Sequence, residues 1–562
     1  MEARFFDLLK QWCDRLLTLQ VTDMGDPHFD GAFLCPACLH IHGRSADAIY
    51  PLMAMADMTG EKAYLEAAKR LFVWGENMMC DDGSIYNDAQ KVWNGITVFS
   101  SIALCEALER HGHLLDSETR AAWEARLMTM SEWLYTSLDE HTDTNVNYPV
   151  TNSAALAMIG HYFHNDAYVQ KAGHLAAFAM THFTENGLLW GEGHPQNLVT
   201  PKGCRPIDMG YNVEESVPSL VKYALQVNDE TMIDKLVTVL EQQLAFMMGD
   251  GAWDNSFGTR NNKWTWWGSR TSDGAAAAYA MLAHKHPLFA EAARRNVELL
   301  ASCTHDGLLH GGPHYHLHGE APCVHHTFCH ANALALALAH SDKFPAKRTS
   351  LPVDTVQGAR YFPEIDTYKI ACGDYRYTLT AYDFGVKAGM HASGGTVSLM
   401  WHKTQGPLLL SSVVDYVLVE DLNMQLSRQK ASHRTLTPRF VLQKDGKTYT
   451  NAYDDKATIT PLQNGAYAVS ARLQTAAHEF PENAALAIRY TFSDDGLTVT
   501  ASHLPDGCRL ILPLIAGCIQ ITAGTVEKKD DIFFLTGGFM AKEHTVAPDE
   551  DGSINLTVSA NA

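Results

Sequence analysis

A turn-and-helix unit recurs along the chain to about residue 340, and such a repeat leaves few ways to fold. MADMTGEKAYLEAAKRLFVW sets the pattern: a helix end, a polar turn and a new helix. The turn and outgoing helix return at Asp116 (DSETRAAWEARLMTM), Asn165 (NDAYVQKAGHLAAF), Asn228 (NDETMIDKLVTVLE) and His286 (HPLFAEAARRNVELL). A period of roughly 50 to 60 residues suits two helices and two connections. In these copies apolar residues fall at helical spacing, and Asn, Asp, Ser or Thr stands where a cap belongs. A second signal follows the outgoing helix: DDGSIY at Asp81, ENGLLW at Glu185, GDGAWD at Gly249 and HDGLLH at His305. Gly after Asp or Asn at these points is the expected helix stop. Helices joined alternately by short turns and long loops close most simply into an (α/α)6 toroid. The N-terminal helix and the one from Thr327 complete the last pair, and an open solenoid is the competing arrangement. The long loops, all at one end, fall at about 20–46, 79–96, 135–152, 184–216, 247–274 and 301–327.

After Leu351 the pattern changes to strands. TVSLMWH, RFVLQ, YAVSARL, LAIRYTF and LTVTAS are β-branched and aromatic with period-two stretches. Asp445-Gly446, Asn464-Gly465 and Asp495-Gly496 are hairpin-turn dipeptides. The expected plan is a toroid over 1–345 followed by an antiparallel β-sandwich over 346–562.

The chain carries a formal net charge of -21, which argues against nucleic acid as a partner. No apolar run is long enough to span a membrane. The 12 cysteines are scattered in apolar contexts, which reads as reduced thiols in a cytoplasmic protein, or a periplasmic one if a leader precedes this sequence. A rim of aromatic loops suggests a homodimer.

The long loops collect the chemistry. They hold His42 and Arg44 in the first; Asn87 and Asn94 in the second; Asn147 and Tyr148 in the third. Glu192, His194, Asp208, Tyr211, Glu214 and Glu215 lie in the fourth; Trp267, Arg270 and Asp273 in the fifth; His314 in the sixth. Trp, Asn, His, Arg and carboxylates at one rim describe a sugar site. Cys35-x-x-Cys38 with His40 and His42 has a zinc spacing, but so tight a run must turn sharply to close a tetrahedron and no second Cys pair is spaced to help, so no metal or cofactor is expected. Glycosidic hydrolysis needs one protonated acid and one ionised carboxylate. Glu192, between glycines beside Trp190, is the candidate acid. Glu215 or Glu214 at a helix start is its partner, with Asp208 or Asp273 in reserve. Arg44, His42 and Arg270 would hold a uronate carboxylate, and Asn87, Asn94, Asn147 and Trp267 would shape the pocket.

GMHASGGTVSLMWHKTQGPLLL, from Gly389, is similar to the His-x-His-x-Asp-x-Gly stretch of the heparinase II/III-like polysaccharide lyases, with Met390 for the first His, Ser393 for the Asp and His391 alone matching. CPACLHIHGRSADAIYPLMAMADMTGEKAYLEAA and DMGYNVEESVPSL more closely resemble glycoside hydrolase family 154, gut-bacterial β-glucuronidases of the same two-domain plan. That resemblance implies a hydrolase removing terminal β-linked glucuronic acid from a glycan. The alternative is a polysaccharide lyase acting by β-elimination, in which Tyr211 and His194 or His314 replace the carboxylates and Asn147 or an Arg neutralises the uronate. A third reading is a non-catalytic glycan-binding protein.

Overall fold

A computed structural model describes residues 2–38, 41–87, 93–142, 144–193, 196–385, 389, 391–414, 435–533 and 537–561. The helices run α1 (Ala3–Leu19), α2 (Ile49–Thr59), α3 (Lys62–Gly75), α4 (Thr97–His111), α5 (Ser117–Ser137), α6 (Asn147–Phe163) and α7 (Asp166–Met180). A short turn α8 (Met209–Tyr211) then precedes α9 (Val217–Gln226), α10 (Glu230–Gln243), α11 (Ala276–Met281), α12 (Phe289–Ser302) and α13 (Val324–Ala339). Helices α2, α4, α6, α9, α11 and α13 pack side by side, and α13 returns to α2, so the inner ring is closed. Closure excludes the open solenoid. Helix α1 packs on α13 as the outer member of the last pair.

The two rings differ as their surroundings demand. Every residue of α4 from Thr97 to Leu108 is buried, as befits a helix covered on all sides. Outer helix α5 buries only a stripe that includes Trp123, Leu127, Met130 and Leu134. Side chains of Asp116, Asn165 and Asp229 accept backbone N–H bonds at the starts of α5, α7 and α10, which satisfies otherwise orphaned donors.

The recurring Asp/Asn-Gly signal has a different meaning from the helix stop expected. Each is the tip of a small antiparallel hairpin that turns the chain from an outer helix into its long loop. The pairings are Met79 with Ile85, Phe183 with Leu189, Met247 with Trp253 and Thr304 with Leu309; Gln20 with Phe33 adds a fifth, with Asp30-Gly31 in the same place. The tip glycine has positive φ and touches the next outer helix. A Cβ on Gly31, Gly83, Gly187 or Gly251 would lie 2.5, 2.5, 2.3 or 2.2 Å from Arg70, Thr129, Gln242 or Arg295 in α3, α5, α10 or α12. On Gly307 it would lie 2.7 Å from Arg15 of α1, so the same device closes the ring.

From Gly358 on, the described residues form three antiparallel sheets of five, five and six strands that share one core, with Tyr377, Val397, Phe440, Ile488, Leu512 and Leu556 among its members. Strand Ala485–Ser493 alternates exposed and buried residues, as a strand with one face on a core must. Asp445-Gly446 and Asn464-Gly465 both carry two consecutive positive φ angles, the two-residue hairpin geometry their sequence signals.

The first of these sheets braces the fourth loop. Thr184 Oγ1 and Asn186 Nδ2 donate to the Glu364 carboxylate at 2.6 and 3.1 Å, Thr200 Oγ1 donates to Asp383 at 2.7 Å, and Lys202 pairs with Asp366. The Tyr382 hydroxyl accepts from the Ile207 backbone N–H at 3.1 Å. Lys369 reaches the fifth loop and meets fully buried Asp254 at 2.5 Å.

Candidate active site

The fourth loop ends in a π-helical turn, Asn212–Ser216, just before α9. Such turns displace side chains from the α-helical register and are frequent at functional sites. Here one brings Glu214 and Glu215 inside the ring, both buried. Asp208 sets the turn up: its carboxylate accepts from Tyr211 N at 3.1 Å, Asn255 Nδ2 at 3.0 Å and Arg260 N at 2.8 Å. Its oxygens are spent on tying the fourth loop to the fifth, which removes it as a reserve catalyst.

A cleft opens between the loops, lined among others by Arg44, Asn87, Asn147, Tyr148, Tyr211 and Glu215 from the expected set. Arg260, Lys263, Trp93, Thr271 and His325 complete its wall. At about 30 Å³ the gap between the described residues holds a water or two but no sugar ring. A groove of about 520 Å³ lies between α10 and the first sheet, but it shares no residue with this cleft.

Three basic side chains, Arg44, Arg260 and Lys263, line the cleft with one carboxylate, Glu215, among the described residues. A chain of charge -21 thus gathers three basic side chains at one cleft, where a bound anion would share Arg44 and Arg260 with the carboxylates that already hold them. Tyr211 sits among these charges. Its hydroxyl lies 2.5 Å from Thr271 Oγ1 and 3.4 Å from Lys263 Nζ, and the Arg260 guanidinium stands 3.8 Å over its ring. Trp93 Nε1 donates to the Tyr148 hydroxyl at 2.7 Å, and these two rings form the aromatic wall.

The expected acid and base are placed otherwise. Glu192 is wholly buried and is not part of the cleft wall. It accepts from Asn147 N at 3.0 Å and Arg260 Nη1 at 3.2 Å. Burial pushes its carboxyl up to about 7, against the pull of Arg260. Glu215 accepts from Asn147 Nδ2 at 2.8 Å, and burial, reinforced by Asp273, raises its carboxyl well above the usual range. Glu214 accepts from Ser269 N at 2.9 Å and faces His330 at 3.4 Å, again raised by burial. These carboxylates hold Asn147, Arg260 and the 268–269 turn in place; they do not form a pair open to a glycosidic bond.

Other expected residues also move. Trp267 is fully buried, donates to His310 O at 2.8 Å and packs edge-on against His330, so it is a core anchor and no sugar platform. Arg270 is buried beneath the rim and donates to the Tyr315 hydroxyl at 2.6 Å. Arg44 is already paired with Asp47 at 2.7 Å and Asp273 at 2.8 Å. Asn94 donates to Ser84 Oγ at 3.2 Å and His314 is exposed against Phe539, both outside the cleft wall. His42 turns toward Cys323, 3.4 Å away. His194, His40 and Met390 lie outside the described residues, and His391 is buried with its Nδ1 2.9 Å from Ala392 O. Lys263 and Arg260 carried no sequence signal beyond their place in a Trp-rich loop; His325 was one of seven loop histidines with nothing to single it out.

Comparison with known proteins bears on the same point. A broad-specificity ulvan lyase of Formosa agariphila is 37% identical over a 569-residue alignment spanning 99% of this chain and 86% of that protein. A chondroitin AC lyase of Streptomyces coelicolor A3 shares the fold, with a TM-score of 0.52 at 13% identity over 99% of this chain and 83% of that one. A heparan sulfate lyase of Pedobacter heparinus gives a TM-score of 0.48 at 10% identity over 98% and 82%. The ulvan lyase match overturns membership of glycoside hydrolase family 154, and with it the expected glucuronidase and hydrolase activity; among the described residues the cleft wall holds no pair of carboxylates. The ulvan lyase N-terminal domain model matches residues 9–355 and the C-terminal domain model residues 359–531, so toroid and sandwich together place this chain in the ulvan lyase family.

Proposed function

We propose that this protein is a polysaccharide lyase that cleaves a uronic-acid-containing glycan by β-elimination, with ulvan, the polymer named for its relative, as first candidate substrate. The observation that carries this reading is the Tyr211 hydroxyl, set in a basic cleft 3.4 Å from the Lys263 ammonium. A positive charge there stabilises the phenolate a Tyr becomes when it gives up its proton. Elimination asks for a group to take the proton α to the uronate carboxylate, a partner to neutralise that carboxylate, and a proton for the leaving oxygen. Tyr211, as its phenolate, takes the proton from C5. The electron pair forms the C4=C5 double bond as the C4–O4 bond breaks, and O4 takes that proton back from Tyr211. Neutralisation falls to Arg260, with Asn87 and Asn147 beside it in the cleft wall. Digestion of ulvan should yield oligosaccharides with a new ultraviolet chromophore at the non-reducing end. Release of saturated glucuronic acid with no rise in absorbance would sink the reading.

A further inference from the structure

The sulfurs of Cys35, Cys38 and Cys323 and a ring nitrogen of His42 converge, all within 4.8 Å of one another. Cys35 Sγ lies 3.8 Å and Cys38 Sγ 3.6 Å from Cys323 Sγ, and His42 Nε2 is 3.4 Å from it. A disulfide needs sulfurs about 2 Å apart, so these spacings fit no such bond. They do fit the edges of a tetrahedron around zinc: with Zn–S near 2.3 Å, two sulfurs stand about 3.8 Å apart. Cys35 Sγ also accepts from the backbone N–H of Cys38 at 3.4 Å and of Val324 at 3.5 Å, which favours a thiolate there. Cys35, His42 and Cys323 are buried and Cys38 is half-buried, so the chain shields the centre from water.

We propose that Cys35, Cys38, His42 and Cys323 bind a zinc ion that is structural, since four protein ligands leave no open position. Three ligands come from the loop between α1 and α2, and the fourth stands at the start of α13. The ion therefore clips the first unit of the toroid to the last. Arg44 lies two residues after His42 and His325 two residues after Cys323, and both line the cleft. The clip fixes where these two side chains stand. The expectation against a metal considered only the tight run at 35–42; the ligand that completes the set is 281 residues beyond His42.

The test is independent of the reaction catalysed. Protein purified without chelator and analysed by elemental mass spectrometry should carry about one zinc per chain. Cys323→Ser should lose it, while Cys303→Ser, a buried thiol elsewhere, should keep it. Should Cys323→Ser fail to fold, cobalt-exchanged wild type decides alone: it should show the visible bands of tetrahedral Co²⁺ and a thiolate-to-cobalt charge-transfer band. Zinc retained by a folded Cys323→Ser, or no thiolate–cobalt band in reduced wild type, would overturn the proposal.

Discussion

Burial decides what each residue of the cleft can do. Tyr211 reaches the cleft with its hydroxyl between Thr271 and Lys263, so Tyr211→Phe should cut kcat by about 100- to 10,000-fold with the fold intact, as read by steady-state kinetics and circular dichroism. Glu192 tests the opposite case. Its folded carboxyl is raised to about 7 by burial, above the ordinary 4.5 of an unfolded chain. A raised carboxyl favours the protonated folded state, so this group stabilises most below pH 4.5 and its contribution falls as pH rises to 7. That loss is on the order of 3 kcal/mol. Urea titrations at pH 5 and pH 7.5 should therefore show wild type losing stability relative to Glu192→Gln, which cannot ionise; an unchanged difference would contradict the burial argument. The sequence showed a cluster of carboxylates and aromatic residues but not which ones face water. Glu192, Glu214 and Trp267 look like site residues in one dimension because buried polar networks and sugar sites use the same residue types. Lys263 was missed because one lysine among tryptophans makes no pattern.

The helical units were legible because periodicity and caps are local. Asp116, Asn165 and Asp229 each act within three residues of themselves. The glycines were legible only in part. Positive φ serves a helix stop and a hairpin tip equally, and the contact that distinguishes them is with a helix some 40 or more residues away. Gly251→Ala meets both penalties, a φ of +92° and a Cβ 2.2 Å from Arg295 O, and should lower stability by more than about 2 kcal/mol in thermal melts. Gly60→Ala, at φ +72° with nothing within 4 Å, should cost only about 1 kcal/mol. Equal costs would mean that the glycine does not seat the next helix. The Cys323 ligand belongs to the same class of hidden information: ring closure alone brings it to Cys35.

At the scale of the molecule, the sandwich is a brace for the loops that carry the chemistry. Lys369 on its first sheet balances Asp254 in the fifth loop. Burial alone would raise that carboxyl, but Lys369 holds it below the usual range. Removing one partner of a buried pair costs about 3–5 kcal/mol. Lys369→Ala should therefore lower the melting temperature and reduce activity through loops 184–216 and 247–274, with calorimetry separating the two effects. The two-domain plan was readable from the change of periodicity near Leu351, and the family's chemistry was not, because glycosidases and lyases can share that plan. The difference lies in one bond: hydrolysis adds water and elimination does not. Digesting ulvan in ¹⁸O-labelled water and weighing the fragments tests that difference most directly. The account predicts unlabelled fragments whose new non-reducing ends are lighter by one water than hydrolysis products; fragments carrying ¹⁸O at the cleaved bond would contradict it.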